Sequence, residues 1–177
     1  MSMGKWFIAG SMIAAAGALM HAGACAGLVI PPAACIGLND VINIEPGTAT
    51  GNGFAGTYEV TASTDVSCEA CLGHVNAATA CQDMALEGEI TAIHEYGVLV
   101  ITDANGESAA GAVDADGNFR IGSANFSSGG EAYQMITGRI SGNNVTATST
   151  TRVTVTDAGG LFDRQSVRTI TLRKVVE

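Results

Sequence analysis

Residues 57–63, TYEVTAS, alternate apolar and polar side chains, and this short pattern indicates the architecture of the chain. In an extended strand successive side chains point to opposite faces, so Tyr58 and Val60 share one face while Thr57 and Glu59 share the other. One face is therefore apolar and the other is polar and solvent-exposed. This is typical of a strand with a buried side and a solvated side.

The same period-two pattern continues from about Gly53 to the C-terminus, and turn signals interrupt it every 8 to 12 residues. No alternation of strands with helices is visible, and most connections are short. The sequence therefore predicts an all-β domain, an antiparallel meander of about eight strands. Closure into an up-and-down barrel would remove the exposed edges, and an open sheet or a sandwich is the alternative. The predicted strands are 57–63, 87–94, 97–103, 108–113, 119–123, 131–140, 145–155 and 164–176.

One segment, 66–86, does not fit the strand pattern. Its alanine content favours a short helix or an irregular loop held by disulfides, so no strand is predicted there.

Composition limits the classes of function. The chain has 177 residues, near the size of one domain, and 47% of them are apolar with only 3 prolines, which is unlike a disordered protein. Lys and Arg number 8 against 17 Asp and Glu. This balance excludes a nucleic-acid-binding protein that works through a basic surface.

Charge is also unevenly distributed along the chain. Between Lys5 and Arg120 there are 13 acidic and no basic residues, whereas Arg120 to the end holds 7 basic and 4 acidic ones. In a closed barrel the last strand pairs with the first, so its basic residues would face carboxylates such as Glu59. A solvated acidic surface is the alternative explanation. The basic residues of the last strand are Arg164, Arg168, Arg173 and Lys174.

The N-terminus has the layout of a secretory signal. Lys5 is the only charge in the first 39 residues, and the apolar run 6–20 leads into the small-residue stretch HAGACAG. This run is shorter than the roughly 20 residues that a membrane-spanning helix needs. We therefore predict a signal peptide over 1–24, a linker over 25–52 and the barrel domain over 53–177, with export to the envelope, the cell surface or the medium. An uncleaved membrane anchor is the alternative.

Cys25 lies at the predicted cleavage site, which has two interpretations. Ala22-Gly23-Ala24 before Cys25 resembles a bacterial lipobox, in which the cysteine is lipidated and anchors the protein to a membrane. Ala24-Cys25-Ala26 also fits ordinary signal peptidase, which would remove Cys25.

The remaining four cysteines, Cys35, Cys68, Cys71 and Cys81, are an even number in a chain bound for an oxidising compartment, so two disulfides are predicted. A Cys68–Cys71 bridge would close a small strained ring. We therefore favour Cys35 joined to one of that pair and Cys81 to the other. A zinc site formed by Cys68, Cys71, Cys81 and His74 is the weaker alternative, because the spacing of these ligands is unusual and Cys35 would be left unpaired.

Several stretches resemble the small lipocalin-like, or calycin-like, β-barrels of bacterial exported proteins and lipoproteins. The resemblance covers about 53–176 and rests on GFAGTYEV (53–60), GAVDADGNF (111–119), TGRISGNN (137–144) and TLRK (171–174). The lipocalin signature Gly-x-Trp reads Gly53-Phe54-Ala55 here, so the Trp–Arg packing of lipocalins cannot form. The resemblance implies a barrel whose apolar interior holds a small ligand.

No catalytic motif was found: the chain has no Ser-His-Asp order, nucleophile elbow, HExxH or P-loop. His94 shares a face with Ile90 and Ala92, which favours a buried core histidine over a catalyst. No enzyme activity, cofactor, metal or nucleic-acid partner is predicted.

Two hypotheses follow. The first is a structural or surface-interaction barrel of the envelope, with a solid core. The alternative is a carrier of a small apolar ligand, lined by Tyr58, Val60, Val98, Val100, Phe119 and Ile121.

Overall fold

A computed structural model describes residues 35–71, 88–157 and 160–175. These described residues fold into one short helix and eight strands. The helix α1 is Leu38–Ile42, and the strands are β1 Gly56–Ala70, β2 Glu89–Glu95, β3 Val98–Asp103, β4 Ser108–Val113, β5 Asn118–Ser127, β6 Gly130–Ser141, β7 Asn144–Asp157 and β8 Gly160–Lys174. Among the described residues no helix is long and apolar enough to cross a bilayer.

The strands form a closed antiparallel barrel in chain order, with each strand paired to the next and β8 paired to β1. The prediction of an eight-stranded up-and-down barrel is confirmed, and the open sheet and the sandwich are excluded. Closure pairs the first strand with the last, so the two outer edges that an open sheet would have are joined to each other.

Strand β1 is longer than predicted. It runs to Ala70 and pairs with β8 along this length, with register shifts between Val60 and Ala62 and between Asp65 and Ser67. The expectation of no strand over 66–86 is therefore wrong for 66–70, because pairing with β8 extends the strand beyond its local pattern. Residues 72–87 lie outside the described part of the chain.

Opposite charges meet where the barrel closes, as the sequence predicts. Arg168 on β8 forms an ion pair with Asp65 on β1, and Arg173 lies 4.0 Å from Glu59. The Arg173 pair is exposed and contributes less than about 1 kcal/mol.

Two tight turns are stabilised by the same pattern of hydrogen bonds to an aspartate. Asp103, the last residue of β3, and Asp114, the first residue after β4, each accept backbone N–H bonds from the residues two and four positions later, at 2.8–2.9 Å. Gly106 and Gly117 follow three residues after these aspartates with φ of 84° and 82°, a conformation that favours glycine. In the second turn the Asn118 side chain also donates to Asp114, and these bonds lower the pKa of that carboxyl.

The segment before the barrel packs against its outer wall. Ile36 and Val41 are buried with Tyr133 of β6, and Val41 lies against Gly122 of β5. Cys35 is joined to Cys71 by a disulfide that attaches this segment to the end of β1. Residues 35–42 therefore form a second, smaller apolar cluster outside the barrel.

Candidate binding cavity

The barrel contains an apolar cavity of about 50 Å³. Thirteen side chains from seven of the eight strands line it, and all of them present apolar groups. A single water needs roughly 10–15 Å³ by this measure, so the space holds about four water-sized groups, and an apolar lining keeps such a space dry. The lining includes Ala92, Leu99, Ile101, Ile136, Ala147 and Ile170.

Three of the residues predicted to line a ligand site do line this cavity: Tyr58, Phe119 and Ile121. Val60 is half-buried and packs against the same core cluster. Whether any of them binds a ligand remains a prediction.

Val98 and Val100 were predicted on the wrong face. They lie outside the cavity, which Leu99 and Ile101 of the same strand line instead. The physical reason is that β3 is apolar at both alternating sets of positions, so its own pattern cannot select the inward set. Register with β2 selects it, because Leu99 pairs with His94 and Ile101 with Ala92.

A polar layer borders the apolar lining. Gln134, Ser149 and Arg168 occupy the inward positions next to Ile136, Ala147 and Ile170 along strands β6, β7 and β8. Nε2 of Gln134 donates to Oγ of Ser149 at 2.9 Å, and both residues are buried. Sequence reasoning missed this layer, although the alternation of Gln134 with Ile136 and Ile140 could have revealed it.

Charged side chains lie beyond this layer, toward the same end of the barrel. Nε of Arg168 donates to Asp65 at 2.7 Å, and Asp65 keeps 42% of its side chain exposed. Nearby on β8, the guanidinium of Arg164 lies 5.1 Å from the ring centroid of Phe162, and burial lowers its pKa. The interior thus changes from apolar to polar along the barrel axis.

The opposite end is closed by Phe54. Its carbonyl accepts the Tyr58 hydroxyl at 2.9 Å, and its ring centroid lies 5.1 Å from that of His94. The backbone N–H of Phe54 contacts Nδ1 of His94 at 3.5 Å. Nζ of Lys174 lies 5.8 Å from the centroid of the Tyr58 ring at this end.

His94 faces inward, as its shared face with Ile90 and Ala92 predicts, and only 2% of its surface is exposed. Its Nε2 has no hydrogen-bond partner among the described residues. The acidic, histidine and cysteine residues that the structure describes form no group of three able to hold a metal ion.

Within the described residues, the cysteines agree with the favoured pairing of Cys35 with one member of the pair Cys68 and Cys71. Cys35 bonds to Cys71, and Cys68 is also disulfide-bonded. Neither Cys68 nor Cys71 is therefore available as the thiolate ligand that the zinc alternative requires. Cys81 and His74 lie outside the described residues, as does Cys25 with the predicted signal peptide and lipid anchor.

Comparison with known proteins leaves the family of this chain open. No protein-family model and no curated protein matches it. Among solved structures, that of zebrafish ileal bile acid-binding protein complexed with cholic acid matches with 18% identity and a TM-score of 0.28, covering 70% of this chain and 99% of the other.

Proposed function

We propose that this protein is a non-catalytic binding protein that holds a small apolar group inside its barrel. The observation that carries this proposal is the apolar cavity inside the barrel. An eight-stranded barrel has an interior just wide enough for its own side chains, so an unfilled apolar space within it is a departure from a solid core.

Cavity size sets the size of the occupant. About four water-sized groups correspond in size to a short alkyl chain. Burying four methylenes is worth roughly 3 kcal/mol, so a short hydrocarbon is expected to bind with a dissociation constant near the millimolar range.

Titration with n-pentane, followed by NMR of the isoleucine and leucine methyl groups, tests this proposal. Shifts that grow with the pentane concentration up to its aqueous solubility are expected at Leu99, Ile136 and Ile170. Ala147→Leu adds three carbons at the lining and should abolish binding while leaving the barrel folded. The matched control, Ala110→Leu, makes the same change at an exposed position of β4 and should bind as the wild type does.

The structural alternative predicts a different result. If pentane at its aqueous solubility produces no shift at the lining methyl groups, and Ala147→Leu only raises the stability, the barrel is a solid structural core and the proposed binding function is wrong.

We propose further that the protein acts after export, either anchored through a lipid on Cys25 or released. Support comes from the signal-like N-terminus and from the disulfide-bonded cysteines, since disulfides persist in oxidising compartments. Intact mass of the protein from membrane and soluble fractions tests this. A diacylglyceryl addition on Cys25 supports the anchor, a chain beginning after residue 24 or 26 supports release, and an unprocessed cytoplasmic chain overturns export.

A further inference from the structure

The polar layer beside the cavity contains a buried acceptor whose hydrogen bond is unmade. Gln134 is only 5% exposed, and its Oε1 has no partner among the described residues. The other end of the same amide is occupied, because Nε2 donates to Ser149. Buried hydrogen-bond acceptors are nearly always paired in folded proteins. An unpaired acceptor beside a cavity therefore points to a donor group on a bound ligand.

The position of Gln134 places this acceptor at the border of the apolar space. Gln134 precedes the cavity-lining Ile136 by two residues on β6, so both side chains point inward and are neighbours along the strand. Ser149 has the same relation to the cavity-lining Ala147 on β7. A chain in the cavity would therefore have its polar end at the level of Gln134 and Ser149.

The hydrogen-bonding groups of this layer indicate which polar group the ligand carries. An amide oxygen accepts hydrogen bonds, so it attracts an O–H or N–H donor and repels a carboxylate. Arg168, which occupies an inward position of the same layer, already forms an ion pair with Asp65, which neutralises it. A neutral donor satisfies Gln134 without displacing that pair.

We propose that the ligand is a neutral amphiphile, a short alkyl chain of about four carbons that carries a hydroxyl group donating to Oε1 of Gln134. This inference rests on the proposed binding function. It adds the chemical class of the ligand and the residue that recognises it.

Three probes of five non-hydrogen atoms test this inference: n-pentane has no polar atom, methyl propyl ether only accepts, and 1-butanol also donates. Each is titrated into the wild type and into Gln134→Met, which removes the acceptor at similar volume. The substitution should weaken 1-butanol binding about tenfold, equivalent to about 1.4 kcal/mol at 25 °C. It should leave pentane and the ether within about twofold, because neither can donate.

Gln165→Met is the matched control, since Gln165 is a buried glutamine on the outer face of β8 that accepts the backbone N–H of Ile36 at 2.7 Å. It should not change the affinity for any probe. If pentane binds but Gln134→Met weakens all three probes equally, or if butyrate binds the wild type more tightly than 1-butanol does, the hydroxyl assignment is wrong and the binding function stands. If no probe binds, the proposed function itself fails.

Discussion

Asp163 on β8 is held by Arg152 on β7 through two hydrogen bonds, at 2.8 and 2.7 Å, and none of its side chain is exposed. Both residues point away from the barrel interior, under the segment that begins at Cys35. Arg152 also donates to the carbonyl of Ile36 at 3.0 Å. The hydrogen bond to Asp163 raises the pKa of Arg152. This pair therefore anchors the N-terminal segment to the outer wall.

Replacing Asp163 by alanine should lower the free energy of unfolding by about 3 kcal/mol, because it leaves a largely covered guanidinium without its carboxylate. Urea unfolding followed by circular dichroism measures this. Glu59→Ala is the control, since Glu59 and Arg173 are both mostly exposed, and its loss should cost less than about 1 kcal/mol. Equal losses in the two variants would contradict the anchoring role of Asp163.

Breaking the Cys35–Cys71 bond should destabilise the protein by about 3–4 kcal/mol. The bond spans 36 residues, and its loss frees the entropy of that loop in the unfolded chain. The double variant Cys35→Ala/Cys71→Ala is compared with the wild type by its urea midpoint. Each single variant breaks the same bond and should lose nearly as much. An unchanged midpoint in the double variant would show that the bond adds no stability.

The two turn glycines should respond differently to the same substitution. Gly106→Ala should cost about 1 kcal/mol, because φ is positive but no atom lies within 4 Å of the added Cβ. In Gly117→Ala the Cβ would lie 2.2 Å from the carbonyl oxygen of Ile140, so the β4–β5 turn must shift and the cost should exceed that of Gly106→Ala by about 2 kcal/mol. Thermal unfolding of both variants measures the difference, and similar melting temperatures would disprove the close packing at Gly117.

The raised pKa of Tyr133 predicts a loss of stability at alkaline pH. Burial first, and then the neighbouring Glu131, raise the pKa of Tyr133 to about 12, against about 10 in an unfolded chain. Its folded-state pKa lies above the unfolded value, so its contribution is complete below pH 10 and is lost as the pH rises toward 12. Burial also raises the pKa of Tyr58, which acts in the same direction.

Urea unfolding between about pH 9 and pH 12 measures this loss, and Tyr133→Phe should make the decline shallower. Tyrosinate absorbance of the folded variant should show one late-titrating group fewer than that of the wild type, because Tyr58 remains. An identical pH profile in the variant would show that Tyr133 ionises normally.

Much of the fold could be predicted because its signals are local. Alternation such as that of Tyr58 and Val60, together with turns such as 103–107 and 114–118, depends on residues close in sequence. All eight strands were found in this way, and closure followed from the disadvantage of exposed edges. The opposite charges of Asp65 and Arg168 also agree with pairing of the first and last strands.

The candidate site was predicted only in part. Tyr58 and Phe119 were placed correctly because their strands alternate, whereas Val98 and Val100 were placed on the inner face because β3 is apolar on both sides. The docking of Ile36 on Gln165 has no local signal at all, since the two residues are 129 positions apart.

The sequence by itself determined the strand order, the antiparallel class and the apolar character of the cavity lining, because each depends on neighbours along the chain. Tertiary structure alone decided the inward face of β3, the choice of Cys71 as the partner of Cys35, and the meeting of Gln134 with Ser149 beside the cavity. These features depend on register between strands, which hydrogen bonding and barrel closure set together, and no single strand encodes that register.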